Sequence, residues 1–141
     1  MSAHSSLRTL AVATCLFVAS ATLAQAGPLS NRASVQQEGA GNGGAITQNG
    51  AANNALIGQY GYDNTAAIRQ DGYGNAACII QSGVGHDSAI NQTGDFNGVG
   101  IVQTPLRTRV IPADQCARIN ARRAAQAAAQ QSAARRSGLR R

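Results

Sequence analysis

Between residues 31 and 103 the hydrophobic positions recur every 11 residues, and the polar positions recur with them. An aliphatic side chain stands at Val35, Ile46, Ile57, Ile68, Ile79, Ile90 and Ile101. Two places later comes a glutamine each time, at Gln37, Gln48, Gln59, Gln70, Gln81, Gln92 and Gln103. A glycine follows at Gly39, Gly50, Gly61, Gly72, Gly83 and Gly94. Four places before the aliphatic is an asparagine, at Asn31, Asn42, Asn53, Asn64, Asn75 and Asn97, with His86 in the remaining slot. The unit is N-x-A-x-I-x-Q followed by x-G-x-x. An 11-residue period also fits a right-handed helical supercoil. Recurrent Gly and Asn are poor helix residues, however, and the marked positions alternate with period 2, which is the strand signal. Each N-x-A-x-I-x-Q is therefore predicted to be a strand with Asn, Ala, Ile and Gln on one face. The six glycines are predicted to be the bends, where Gly supplies a positive φ.

A strand of this length spans ~20 Å at ~3.3 Å per residue. The link from one Gln to the next Asn reaches at most ~18 Å. That is too short to return comfortably to the same strand end, but long enough to cross the ~10 Å between packed sheets. The predicted fold class is all-β: a β-solenoid of 11-residue half-coils, two strands per 22-residue coil and about three and a half coils, stacked at ~4.8 Å. Identical residues then lie above one another. Asn42, Gln48, Asn53, Gln59, Asn64, Gln70, Asn75, Gln81, Gln92, Asn97 and Gln103 are expected to form amide ladders of their own kind. A buried amide left unpaired would cost ~1–3 kcal/mol, so the polar repeat is as strict as the apolar one. Strands 31–37 and 97–103 are expected to leave open edges. The outward positions (Arg32, Thr47, Leu56, Arg69, Cys78, Asn91) are mixed, which excludes a regular ice-binding row.

The flanking segments differ. Residues 1–26 carry Arg8, a short apolar run and the small residues "AQA", the pattern of a secretory signal peptide; the run is short of the ~20 residues a spanning helix needs. Residues 27–30 are a short lead-in. Cys78 and Cys116 allow one bridge or two free thiols. All 12 basic residues are Arg; residues 31–103 have a net charge of −3 and residues 104–141 one of +8. Such asymmetry points to segments with different tasks. Residues 104–112 read as a linker, with Pro105 ending the ladder. Residues 113–141 read as a basic tail, helical or disordered, with Pro112 and Asp114 suited to a helix start and Gly138 to its end. With Ile119 nearly its only large apolar residue, this helix has little evident reason to pack. Arg118, Arg122, Arg123, Arg135, Arg136, Arg140 and Arg141 are candidate contacts for anionic lipid, polysaccharide or DNA. Nothing points to catalysis, a cofactor or a metal: Asp63, Asp71, Asp87 and Asp95 lack the spacing of a calcium loop, and His86 reads as a tolerated substitution.

The Gln-x-Gly-x-x-Asn-x-Ala pattern over residues 31–103 resembles the curlin repeat of bacterial curli, the extracellular amyloid fibres of biofilms. The resemblance implies a β-solenoid subunit exported past a periplasmic chaperone and through a dedicated outer-membrane channel. It also implies polymerisation with itself and other curlin subunits at the cell surface, serving adhesion and the biofilm matrix. His86 departs from the Asn pattern, and Gly44, Ser88 and Val99 depart from Ala. The short array and the Arg-rich end look more like a minor, nucleating subunit than a major one. The expected function is a structural subunit of curli-like fibres, growing by edge-strand addition. The alternative is a secreted monomeric solenoid that binds anionic surface polymer or nucleic acid through its Arg-rich tail.

Overall fold

The computed structural model describes residues 29–138, the last two by backbone alone. The predicted signal segment lies outside the described residues. Eight strands and one helix follow in order: β1 (Arg32–Glu38), β2 (Gly43–Ala51), β3 (Asn54–Tyr62), β4 (Thr65–Tyr73), β5 (Ala76–Val84), β6 (Asp87–Thr93), β7 (Gly98–Thr104), β8 (Arg107–Ile111) and α1 (Ala113–Gly138). The first seven strands alternate between two parallel sheets, so each coil holds two strands. Sheet A has the order β1-β3-β5-β7-β8 and sheet B the order β2-β4-β6. The register is 22 residues throughout, Ile57 on Ile79 and Gln70 on Gln92. The chain is therefore the all-β solenoid that the 11-residue period predicts.

The core is thin. Ala55, Ile57, Ala66, Ile68, Ala77, Ile79 and Ile90 fill it from both sheets. Gln59, Gln70, Gln81, Asn53, Asn64 and Asn75 are buried beside them. Burying one such isoleucine contributes ~1.5–3 kcal/mol, so a few coils suffice only if the polar rows are satisfied.

The strand limits differ from the expected ones. Each strand starts after its Asn, and β2 to β5 run on past the repeat glycine. The bend comes two residues later, where Gly41, Ala52, Asp63, Gly74, Gly85 and Phe96 all have positive φ. All six repeat glycines have the expected positive φ, but Gly50, Gly61, Gly72 and Gly83 are also ladder members. Gly61 has φ +125°, and a Cβ there would collide with the carbonyl of Gly83 in the next coil. Only glycine lets successive coils approach this closely.

Three further expectations are corrected at the C-terminal end. Residues 104–112 are not a bare linker: β8 folds back antiparallel on β7, Gly100 facing Ile111 and Thr104 facing Arg107. A two-residue turn at Pro105 and Leu106 permits a hairpin but not a parallel return. Strand 97–103 is therefore not an open edge. Helix α1 is not loose either, because its first half lies along the outer face of sheet A. Cys116 meets Cys78 and Gly100, Asn120 meets Gly58, and Arg123 meets Ser82. A second small core forms there from Cys78, Ile80 and Cys116, flanked by Leu56, Tyr60, Val102, Ile111 and Ile119. The outward residues are thus sorted by sheet. Sheet B shows Thr47, Ala67, Arg69, Ala89 and Asn91 to solvent.

Candidate assembly surface

The glutamines form two continuous ladders. In sheet A the amide of Gln37 donates to Gln59 at 2.7 Å, Gln59 to Gln81 at 2.9 Å, and Gln81 to Gln103 at 2.9 Å. In sheet B, Gln48 donates to Gln70 at 2.8 Å and Gln70 to Gln92 at 2.7 Å. Each buried Nε2 also donates across the core, for example Gln59 to the Gly43 carbonyl at 2.9 Å and Gln81 to that of Thr65 at 2.7 Å. Those carbonyls fix which end of the amide is nitrogen. The ladders are therefore polar: Oε1 of Gln37 and Gln48 faces the N-terminal end, and Nε2 of Gln92 and Gln103 faces the C-terminal end.

The asparagines form the expected ladder of their own kind only in part. Direct amide pairs occur at Asn64–Asn42 and Asn97–Asn75, both 3.0 Å. The regular contacts are to backbone. The Oδ1 of Asn53 accepts the N–H of Asn75 at 3.0 Å, and that of Asn75 accepts the N–H of Asn97 at 3.0 Å. The Nδ2 groups donate to glycine carbonyls: Asn42 to Gly61 at 2.8 Å, Asn53 to Gly72 at 2.9 Å, Asn64 to Gly83 at 3.1 Å. Asn stands in the arc just before each strand, where a short amide reaches main chain more readily than its own kind. His86 is the last member of its row. Its N–H is still held by Asn64 Oδ1 at 3.1 Å. The residue 22 places on, Thr108, lies in the reversed β8, so no further rung needs an asparagine oxygen at His86.

The backbone edges follow from strand alternation. Arg32 N–H donates to the Asn53 carbonyl at 2.7 Å and Gly43 N–H to that of Asn64 at 2.8 Å. Ala33, Val35 and Gln37 of β1, and Gly44, Ile46 and Gln48 of β2, therefore turn their backbone groups away from the stack. No described strand pairs with them.

On the outer face of sheet A, Cys78 and Cys116 are joined as a disulfide with Cα atoms 5.9 Å apart. Tyr60 donates its hydroxyl to Asn120 Oδ1 at 2.9 Å, and Asn120 Nδ2 reaches Gln36 Oε1 at 3.3 Å. Burial, and then the nearby Glu38 carboxylate, push the Tyr60 phenol above its ordinary range, against the opposing charge of Arg123. Arg123 donates to Ser82 Oγ at 2.8 Å and stands 5.6 Å over the Tyr60 ring. It is thus an internal tie, not the exposed anion contact expected of it. Arg118 pairs with Asp114 at 2.8 Å. Arg122, Arg135 and Arg136 are exposed on α1; Arg140 and Arg141 lie outside the described residues. Sequence reasoning missed Gly58 and Gly100, where a Cβ would strike Asn120 and Cys116. The available signal was their position: outward, in the alternate half-coils that also carry Leu56, Cys78, Ile80 and Val102.

Residues 30–61, 39–72 and 61–94 each match the family of the curlin-associated repeat. No curated protein and no solved structure matches the chain. With the 22-residue register, paired sheets and glutamine rows in the same span, residues 30–94 are a curlin-family repeat array.

Proposed function

We propose that the chain is a structural subunit of an extracellular curli-type fibre, joining its neighbours by strand-edge addition and serving adhesion and the biofilm matrix. The observation that carries this reading is the N-terminal end of the solenoid. Two adjacent edge strands there, β1 and β2, offer backbone groups that no described strand pairs with, together with the Oε1 acceptors of two glutamine ladders. A further coil with the same repeat would satisfy both, as each internal coil does. Such an edge in an isolated protein is a template for pairing. Export fits the signal-like residues 1–26 and the family, whose chaperone and outer-membrane channel would deliver the chain to the surface. The tail is accessory: its first half is committed to sheet A, and its exposed arginines are available for anionic surface polymer.

The test is recovery of the chain from fibres. Detergent-insoluble surface fibres of the source cells should release it on formic acid treatment, identified by peptides from residues 54–103. Finding it only as a soluble monomer, in cells that do make such fibres, would remove this reading.

A further inference from the structure

The two ends of the solenoid are not equivalent. Seven half-coils end on β7, so a continuing chain would first place a strand over β6 in sheet B and then one over β7 in sheet A. The second place is taken by β8. Ala76 N–H donates to the Asn97 carbonyl at 2.7 Å. By alternation Gly98, Gly100 and Val102 face away from β5, and Arg107, Arg109 and Ile111 of β8 turn toward β7. β8 is a poor base for another curlin coil. It runs opposite to every other strand. Thr108 stands opposite Gln103, where the ladder would need a glutamine. It is five residues long, closed by Pro105 and Pro112, and carries Arg107 and Arg109. Short, charged, proline-bounded edges are how sheets refuse addition. The cap is also held in place, since the chain runs from it directly into α1, and Cys116 is bonded to Cys78. What remains at this end is an open notch of about 360 Å³ over β6, lined by Asn91, Gln92, Thr93, Asn97, Gly98 and Val99.

Among the described residues the N-terminal end is open in both sheets. The inward Val35 is 43% exposed there, against 0% for its stack mate Ile57. We infer that this chain enters a fibre only through its N-terminal end, on the C-terminal end of a different curlin-repeat chain that has no such cap, and that growth in that direction then stops. The inference rests on the fibre-subunit reading above. A second copy is the wrong partner. Head to tail, its β1 could take the notch over β6, but its β2 would need the place of β8. Head to head, glutamine oxygens would face glutamine oxygens, with no donor between them.

The probe is a synthetic polypeptide of tandem copies of residues 54–75, one complete coil each, imaged as labelled fibres while it elongates. Residues 27–141 added in small proportion should slow elongation at one end by roughly tenfold or more and leave the other end unchanged. Alone they should form no fibres. Val35→Pro removes an N–H that faces away from β3, so the internal ladder stays whole, and it should abolish the block. Val35→Lys, at a position already half exposed, should do the same without a backbone change. Val110→Pro, on the outer edge of β8, should block as well as the parent. Arg109→Pro removes an N–H that faces β7 and should convert the blocking chain into one that passes growth on. Arrest at both ends or at neither, or a folded Val35→Lys that blocks as the parent does, overturns the inference. Fibres grown from the parent chain alone overturn it too, yet leave the fibre-subunit reading standing; only absence from surface fibres removes that.

Discussion

Sheets A and B present the same residues to the core and different surfaces to the outside. Inward, both show the Ala, Ile and Gln rows, with Ile57 and Ile79 on one side and Ile46, Ile68 and Ile90 on the other. Outward, sheet A carries Leu56, Gly58, Cys78, Ile80, Gly100 and Val102 under α1, whereas sheet B carries Thr47, Arg69 and Asn91 in water. The inner rows are constrained by their neighbours in every coil, so they repeat at 11. The outer rows meet their like only at 22, so the two faces diverged, and one of them took on a helix.

Adjacent isoleucines break this comparison most sharply. Ile79 faces inward and Ile80 outward, and both are fully buried. Either change to Ala should cost about 2–5 kcal/mol. Ile79→Ala should lower the melting of the strands as a unit. Ile80→Ala should release α1 first, read as loss of helical circular dichroism ahead of the strand signal. Replacing Cys78 and Cys116 together by Ser should cost ~2–4 kcal/mol and follow the Ile80 pattern.

The polar rows give smaller effects. Gln70→Ala leaves the amides of Gln48 and Gln92 short of a partner in the buried stack and should cost ~1–3 kcal/mol in denaturant melts. Its outward neighbour Arg69 pairs with Asp71 at 2.8 Å on the wet face, and Arg69→Ala should cost at most ~1 kcal/mol. If fibre incorporation is measured instead, Gln70→Ala should again exceed Arg69→Ala.

The two faces should also respond to pH in opposite senses, and this is the smallest effect. Tyr60 on sheet A is held above its ordinary range, so its contribution is complete below the unfolded value and fades as pH rises past ~10. Asp71 on sheet B is held below its range by hydrogen bonds from Asn49 and Arg69, so its contribution is complete above ~4 and fades as pH falls below that. Alkaline titration should therefore loosen α1 while sheet B persists, seen by Tyr60 absorbance and helix signal moving together.

What was legible in the sequence was whatever the core demands in every coil: strands, two sheets, a 22-residue register and buried amides. What was not legible depends on single rungs. The second positive φ of each arc falls on Ala52, Asp63 and Phe96 as well as on Gly, so composition hid the bend and β2 to β5 read two residues short. β8 was hidden because Arg107 and Arg109 make "RTRVI" look like tail, although it alternates as a strand should. The docking face of α1 was present at the i, i+3, i+4, i+7 spacing of Cys116, Ile119, Asn120 and Arg123. Two of these are polar, so an apolar stripe was the wrong thing to look for. The asparagine ladder was legible only at Asn42–Asn64 and Asn75–Asn97; the residue sits in the arc rather than the strand, and its amide mostly reaches backbone.

Edge addition itself is tested most directly by hydrogen exchange on the chain before and after it joins fibres of an uncapped curlin-repeat polypeptide. Peptides covering β1 and β2, residues 32–51, should exchange fast in the isolated chain, because the backbone N–H groups of Ala33, Val35, Gln37, Gly44, Ile46 and Gln48 point away from the stack. In the fibre they should slow to the level of β3 to β5, while β8 stays unchanged. Exchange over residues 32–51 that is as fast in the fibre as in the isolated chain would contradict the account.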